Sequence, residues 1–247
     1  MLNAPTLEQM TSMRLGAMAV AWEEQNKNPK YQKIGFDDRL ALLIEAEWSS
    51  RESKRQERAL RAAKLRIAQA SIEGVECSPG RGIAQAQLRQ LATTRWLDEK
   101  QNVILSGATG TGKTYIACAL GDAACRKGKK VLYRRAPRLL DELRLARASG
   151  DYATQLKKFE RFDLIIIDDW AIAPLKDYER QDILEVLEDR YEIRSTLIAG
   201  QLPPEKWHSY IGDPTLADAI CDRVLHNAHK IMLKGPSRRK EASSKNK

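Results

Sequence analysis

Apolar residues return in two different rhythms along this chain. Up to about residue 74 they come in steps of three and four: Leu15, Met18, Ala19 and Trp22, then Leu40, Leu43, Ile44 and Trp48. That spacing places them on one side of a helix. Pro29 and Gly35, inside "KNPKYQKIGFDD", interrupt the pattern. Two or three helices are predicted, the last from about Asp37 to Ser71. "EGVECSPGRG", residues 73–82, holds three glycines and a proline and reads as a linker or a domain entry.

From Gln101 the rhythm changes. "NVILSG", "KKVLYRR", "FDLIIIDD" and "STLIAGQ" are short runs rich in Val, Ile and Leu, with helical segments between them. Uninterrupted apolar strands alternating with helices predict a parallel sheet covered on both faces. The expected organisation is α/β. It has a small all-helical domain over 1–74, a sheet domain over 75–241 and a basic, disordered tail over 242–247.

Two of the strand ends carry chemistry. After "NVILS" come Gly107, Ala108, Thr109, Gly110, Thr111, Gly112, Lys113 and Thr114, which fit G-x-x-x-x-G-K-[ST] and open a helix. Glycines let successive backbone N–H groups turn inward on phosphate oxygens, and the helix presents its positive end to the same anion. Lys113 is expected to reach the β- and γ-phosphates and Thr114 to ligate Mg²⁺. The predicted cofactors are therefore ATP and Mg²⁺. "LIIIDD" ends in Asp168 and Asp169, at the sheet edge where α/β proteins bind ligands. Asp168 is expected on the Mg²⁺ side, and Asp169 is expected to polarise the attacking water. A glycine-rich turn and a pair of solvated acids are the plainer readings. Finding both elements in one strand–helix frame favours the chemical ones.

Charge adds a partner class. Lys and Arg total 42 against 33 Asp and Glu in 247 residues, a formal net charge of +9. Such a surplus suggests a polyanion. Projected as a helix, Arg51, Lys54, Arg55, Arg58, Arg61 and Arg66 share one arc, with Leu60, Ala63 and Ile67 on the other side. That face suits a nucleic-acid backbone or an acidic protein surface. A second basic cluster, from Arg126 to Arg138, is partly explained by a helix C-terminus that Gly128 caps. None of the four cysteines has a C-x-x-C partner, and the three histidines lack ligand spacing. Cys118 and Cys125 read as core residues. No apolar run approaches the ~20 residues of a membrane span. A cytoplasmic protein with no membrane partner is expected.

The blocks "LSGATGTGKT", "FDLIIIDDWA", "STLIAGQLPPEKWHSYI" and "LADAICDRVLHNAHKIMLKGPSRRK" resemble AAA+ ATPases of the branch containing the helicase loader DnaC and the transposition helper IstB. The IstB-like ATPases are the closer match, and their helical N-terminal domain resembles "RLGAMAVAWEEQ" and the segment from Phe36 to Leu65. The resemblance implies an AAA+ P-loop fold with a parallel sheet between helices. It places Gln201 as a sensor of the γ-phosphate and Arg223 as a finger reaching the neighbouring subunit's nucleotide. Arg238, or the adjacent Arg239, is placed as a second sensor acting in its own chain. It also turns the segment 136–160 toward DNA, which adds Arg144, Arg147, Lys157 and Lys158 to the candidate contacts. One departure is that many AAA+ proteins end the acidic strand in Asp-Glu, whereas here it is Asp-Asp, so Asp169 reaches one methylene less far. Asp-Asp is common in this sub-branch.

The implied function is ATP-dependent assembly on duplex DNA as a homo-oligomer, with ATP at subunit interfaces. The assembly would activate the transposase of the same insertion sequence, and hydrolysis would reset it. The rivals are a DnaC-like helicase loader and a scaffold that holds ATP without hydrolysing it. A small-molecule P-loop kinase is disfavoured by the charge, the helical N-terminal segment and the block around Arg223.

Overall fold

The computed structural model describes residues 4–238. Arg239 and the tail expected over 242–247 lie outside the described residues. The chain divides into two compact units, residues 1–58 and 59–247.

The first unit is helical: α1 (Ala4–Ser12), α2 (Gly16–Lys27), a 3-10 turn at Pro29–Lys33, and most of α3 (Phe36–Ala63). Glu47 of α3 accepts from the backbone N–H groups of Ala17 at 2.9 Å and Met18 at 3.1 Å. A carboxylate there satisfies the unpaired donors at the start of α2. The Arg51 hydrogen bond, then the Met18 N–H, hold the Glu47 carboxyl below its ordinary range.

α3 ends earlier than the sequence pattern suggests. The helical projection continued to Ser71, but Lys64 takes a left-handed backbone (φ 53°) and stops the helix after Ala63. The turn lets Leu65, Ile67 and Ile72 pack onto the second unit's core. Arg66, projected onto the basic face, therefore leaves it.

The rest of the second unit runs α4 (Gln85–Ala92), α5 (Arg95–Asp98), β1 (Asn102–Gly107), α6 (Lys113–Arg126), β2 (Val131–Arg135), α7 (Ala136–Ser149), α8 (Tyr152–Glu160), β3 (Leu164–Trp170), α9 (Asp177–Glu188), β4 (Ser195–Gly200), α10 (Trp207–Ile211), α11 (Pro214–Leu225) and β5 (Ala228–Leu233). The five strands lie in the order β2-β3-β4-β1-β5, and every neighbouring pair is parallel. β5 was not among the expected strands. It is an edge strand in which His229 and Lys230 stay accessible, so its sequence lacks the continuous apolar run of the inner strands.

Alternation along each strand builds two cores. Val103, Leu105, Leu164, Ile166 and Leu197 face α4, α6 and the 63–75 connector. Ile104, Ile165, Ile167 and Ile198 face α7, α9, α10 and α11. Cys118 and Cys125 are buried in the first core, as expected, and burial pushes the Cys125 thiol up to about 12. The sheet is thus closed on both faces, and its strand ends are the places left for ligands.

Candidate functional site

Three strands end at one cleft. β1 runs into the glycine loop, β3 into Asp168 and Asp169, and β4 into Gln201. Lys113, Thr114, Asp168, Asp169 and Gln201 all line a cleft of about 490 Å³. The cleft that the sequence predicted is therefore assembled at the carboxyl edge of the sheet.

The loop's geometry explains its glycines. Gly112 caps α6 in a left-handed conformation (φ 103°), and no side chain caps the helix. The first N–H groups of α6 are thus left for an anion. Gly110 (φ 87°) approaches Ser237 so closely that an added Cβ would lie 2.1 Å from its hydroxyl oxygen. The Lys113 ammonium donates to the carbonyls of Gly107 at 2.7 Å and Ala108 at 2.8 Å. Its charge therefore lies inside the loop. Gly107, Thr109 and Thr111 belong to the same turn, which Thr111 tightens by donating to the Ala108 carbonyl at 2.9 Å.

Asp168 is buried, at 1% exposure. Its Oδ2 accepts from the Thr114 hydroxyl at 2.8 Å and from the Tyr133 hydroxyl at 2.6 Å. Burial, and then the Asp168 carboxylate, push the Tyr133 pKa up, so its hydroxyl stays protonated and donates. The β3–β4 register slips between Ile167 and Trp170, and this bulge turns Asp169 into a left-handed backbone (φ 56°). Arg135 donates to Asp169 Oδ2 at 2.5 Å, and Arg66 approaches the same oxygen at 3.5 Å.

The residues present fit Mg-ATP. Thr114 and Asp168 bring two hard oxygen donors together. Among the described residues no set of three or more His, Cys, Asp or Glu side chains is grouped to hold a metal without phosphate. Mg²⁺ is commonly held this way, by one or two protein oxygens with phosphate and water completing the octahedron.

Other predicted residues lie elsewhere. Arg238 donates its backbone N–H to the Gly110 carbonyl at 3.0 Å, and its guanidinium pairs with Glu76. It sits against the phosphate loop of its own chain. Arg223 lies at the opposite edge of the sheet, where Asn102 at the start of β1 donates to the Arg223 carbonyl at 3.3 Å. Its guanidinium pairs with Glu188 and donates to the Ala219 carbonyl. With Arg190, Arg194 and Thr196 it lines a separate cleft of about 410 Å³.

The candidate DNA contacts divide between α3 and the α7–α8 segment. Arg51, Lys54, Arg55, Arg58 and Arg61 are exposed on α3, and Arg51 is tied to Glu47 at 2.7 Å. Arg144, Lys157 and Lys158 are exposed on α7 and α8. Arg147 is committed to the fold: its guanidinium donates to the buried Asp182 at 2.6 and 2.9 Å and lies 3.7 Å from the Tyr152 ring centroid. Arg135 and Arg66 were not foreseen in the cleft, nor Tyr133 buried behind Asp168. Tyr133 reads as a strand residue, and the two arginines as general surface charge.

Comparison with known proteins finds relatives along nearly the whole chain. A relative in Sinorhizobium fredii (strain NBRC 101917 / NGR234), named as an insertion sequence ATP-binding protein (y4pL), is 44% identical over 99% of this chain and 100% of its own length. One in Pseudomonas fluorescens, named for the insertion sequence IS1162 and as ATP-binding, is 42% identical over 82% of this chain and 88% of its own. Among solved structures, the DnaC helicase loader matches with a TM-score of 0.55 at 18% identity, over 67% of this chain and 97% of that one, a likeness of the AAA+ fold. The family profile described as IstB-like ATP binding protein matches residues 8–246. The chain therefore belongs to the IstB-like ATP binding proteins.

Proposed function

We propose that this chain binds Mg-ATP in the carboxyl-edge cleft, hydrolyses it slowly as a switch, and assembles on duplex DNA to activate a partner transposase. The observation that carries the reading is the junction of the phosphate loop with the acidic strand, Thr114 to Asp168 at 2.8 Å, with Asp169 lining the same cleft. Lys113 and the α6 N-terminus bind and orient phosphates. Thr114 and Asp168 hold the metal, which when bound neutralises phosphate charge during transfer. Asp169 accepts the proton of the attacking water, and Gln201 sits beside it at the end of β4. Arg238 acts within its own chain, against the loop.

Arg223 serves a neighbouring subunit. β1 is six residues long, so roughly 17 Å of strand separates the two edges, and its guanidinium cannot serve its own cleft. This supports a homo-oligomer with ATP at subunit interfaces. The exposed basic residues of α3 support a duplex DNA partner for the N-terminal segment. The names of the relatives support a transposase client over the helicase that a DnaC-like loader would serve.

ATP turnover by the purified chain, with and without duplex DNA, tests this against a scaffold that only holds ATP. Asp169→Asn should bind Mg-ATP as the wild type does but hydrolyse it slower by about a hundredfold or more, on the order expected for loss of a general base, and should stay assembled on DNA. If wild type and Asp169→Asn alike bind ATP without turning it over, the scaffold reading replaces the enzymatic one. If Asp169→Asn loses nucleotide affinity, Asp169 rather than Asp168 is the metal-side acid.

A further inference from the structure

We propose that Tyr133 and Arg66 are positioning residues of this site: Tyr133 fixes the orientation of the metal-side carboxylate Asp168, and Arg66 helps to hold the water-side acid Asp169. The inference rests on the reading of Asp168 as a ligand for Mg²⁺ and Asp169 as the water-side acid.

Strand geometry sets the first half. Tyr133 on β2 is paired in register with Ile166 on β3. Side chains two apart on a strand share a face, so Tyr133, Ile166 and Asp168 all face α6. The Tyr133 ring is buried at 6% exposure, which leaves its hydroxyl little freedom. It donates at 2.6 Å to the same Asp168 oxygen that accepts from Thr114. Two donors on one oxygen fix the carboxylate's rotation. Outer partners of this kind hold metal-binding carboxylates in place, and losing one typically costs 10–100-fold in metal affinity or activity, a rough range.

The second half depends on where α3 stops. The left-handed turn at Lys64 sends the connector along α6, with Leu65 so near Gly121 that an added Cβ there would lie 2.9 Å from its Cδ2. Arg66 then reaches into the cleft. Its guanidinium approaches Asp169 Oδ2 at 3.5 Å, the oxygen to which Arg135 donates at 2.5 Å, and the neighbouring Tyr133 hydroxyl, ahead of Asp169 and Asp168, raises its pKa. Arg66 is therefore tied to Asp169, beside the Asp168 that Tyr133 holds. Lysine keeps the charge but lacks the planar fork that a guanidinium turns to a carboxylate.

The test is a titration of free Mg²⁺ against binding of a fluorescent ATP analogue, with thermal melting and steady-state turnover of the same preparations. The variants are Tyr133→Phe, Arg66→Ala and Arg66→Lys. Tyr133→Phe should bind the analogue in EDTA as the wild type does, yet need on the order of tenfold more Mg²⁺ for half-saturation, and excess Mg²⁺ should restore its turnover. Arg66→Ala should lower kcat about tenfold, within the range for an outer partner of the site, while KM for ATP stays unchanged. Arg66→Lys should recover only part of that loss. A folded Tyr133→Phe with the wild-type Mg²⁺ midpoint overturns the Tyr133 role. So does a loss of activity that follows the fall in melting temperature and resists added Mg²⁺. If Tyr133→Phe does not fold, the kcat-against-KM split of Arg66→Lys decides, and a wild-type kcat overturns the Arg66 role. A wild type whose nucleotide binding ignores Mg²⁺ sinks the metal role of Asp168 itself, and the inference with it.

Discussion

The two edges of the sheet are built from different materials. At the carboxyl edge, glycine backbone and two aspartates leave an open cleft of about 490 Å³ lined by Lys113, Thr114 and Gln201. At the amino edge, arginines predominate, and one of them is locked into the fold. Arg190 is 1% exposed and donates to the carbonyls of Phe159 at 2.8 Å and Phe162 at 2.9 Å, as well as to Ser195 and Thr196. Burial draws its pKa down to about 9, which still leaves it charged at neutral pH. Arg223 beside it makes surface contacts with Glu188 and Ala219. One edge is shaped to receive phosphate, while the other offers a cation and holds no phosphate loop. On the proposed reading each chain carries the two parts of a composite site at opposite ends of the same strands, and another copy would bring them together.

The sharpest way to break this comparison is to remove the cation and leave the cleft intact. Arg223→Ala should bind ATP nearly as the wild type does and lose ~10³-fold or more in hydrolysis, the worth of an arginine finger. Wild-type specific activity should rise with protein concentration. Mixing Arg223→Ala with Lys113→Ala should recover part of the activity, since one supplies the cleft and the other the arginine. Co-assembly without recovery, measured as turnover of the mixture, would return Arg223 to a structural charge paired with Glu188.

A smaller effect is expected from the opposite edge. Lys113→Ala alone should lower turnover by on the order of 10²-fold, comparable with losing one preorganised donor to transferred charge. Its ATP affinity, read by equilibrium binding, should fall as well, whereas that of Arg223→Ala should not. Equal affinity losses in the two variants would mean that the edges are not functionally distinct.

The smallest effect belongs to α3, which is part of neither edge. Reversing Arg55, Arg58 and Arg61 to Glu should weaken duplex binding for all sequences alike. The log–log salt slope should fall by about 0.9 for each phosphate the protein no longer neutralises. ATP turnover without DNA should be unchanged. An unchanged slope with lost transposase activation would assign the face to the protein partner.

The carboxyl edge was legible in the sequence because its chemistry lies in local motifs. The phosphate loop and the Asp168–Asp169 pair each occupy one short strand end, and β1 to β4 announce themselves as continuous apolar runs. What escaped depends on long-range pairing or on unmarked backbone. β5 alternates because one side of it is accessible. Lys64 carries no signal for a left-handed turn, so α3 was extended and Arg66 placed on the wrong surface. Arg147 looks like any surface arginine until Asp182, 35 residues away, is buried beneath it. Tyr133 looks like a core residue, and only the pairing of β2 with β3 brings its hydroxyl to Asp168.

The left-handed backbone at Asp169 bears on which sequences this position can accept in the course of divergence. Among side chains other than glycine, aspartate, asparagine and histidine enter that conformation most readily. A longer acid would extend its carboxylate further into the cleft but lacks the short polar side chain that can hydrogen-bond locally and ease that geometry. The Asp-Asp strand end thus gives up reach in exchange for a backbone that holds the bulge. A drift from Asp169 to Glu would sit less readily in that backbone than one to Asn, though the chain does hold Glu192 in the same region (φ 55°). The second acid and the bulge are one heritable unit, to be exchanged together when such proteins are recombined or redesigned.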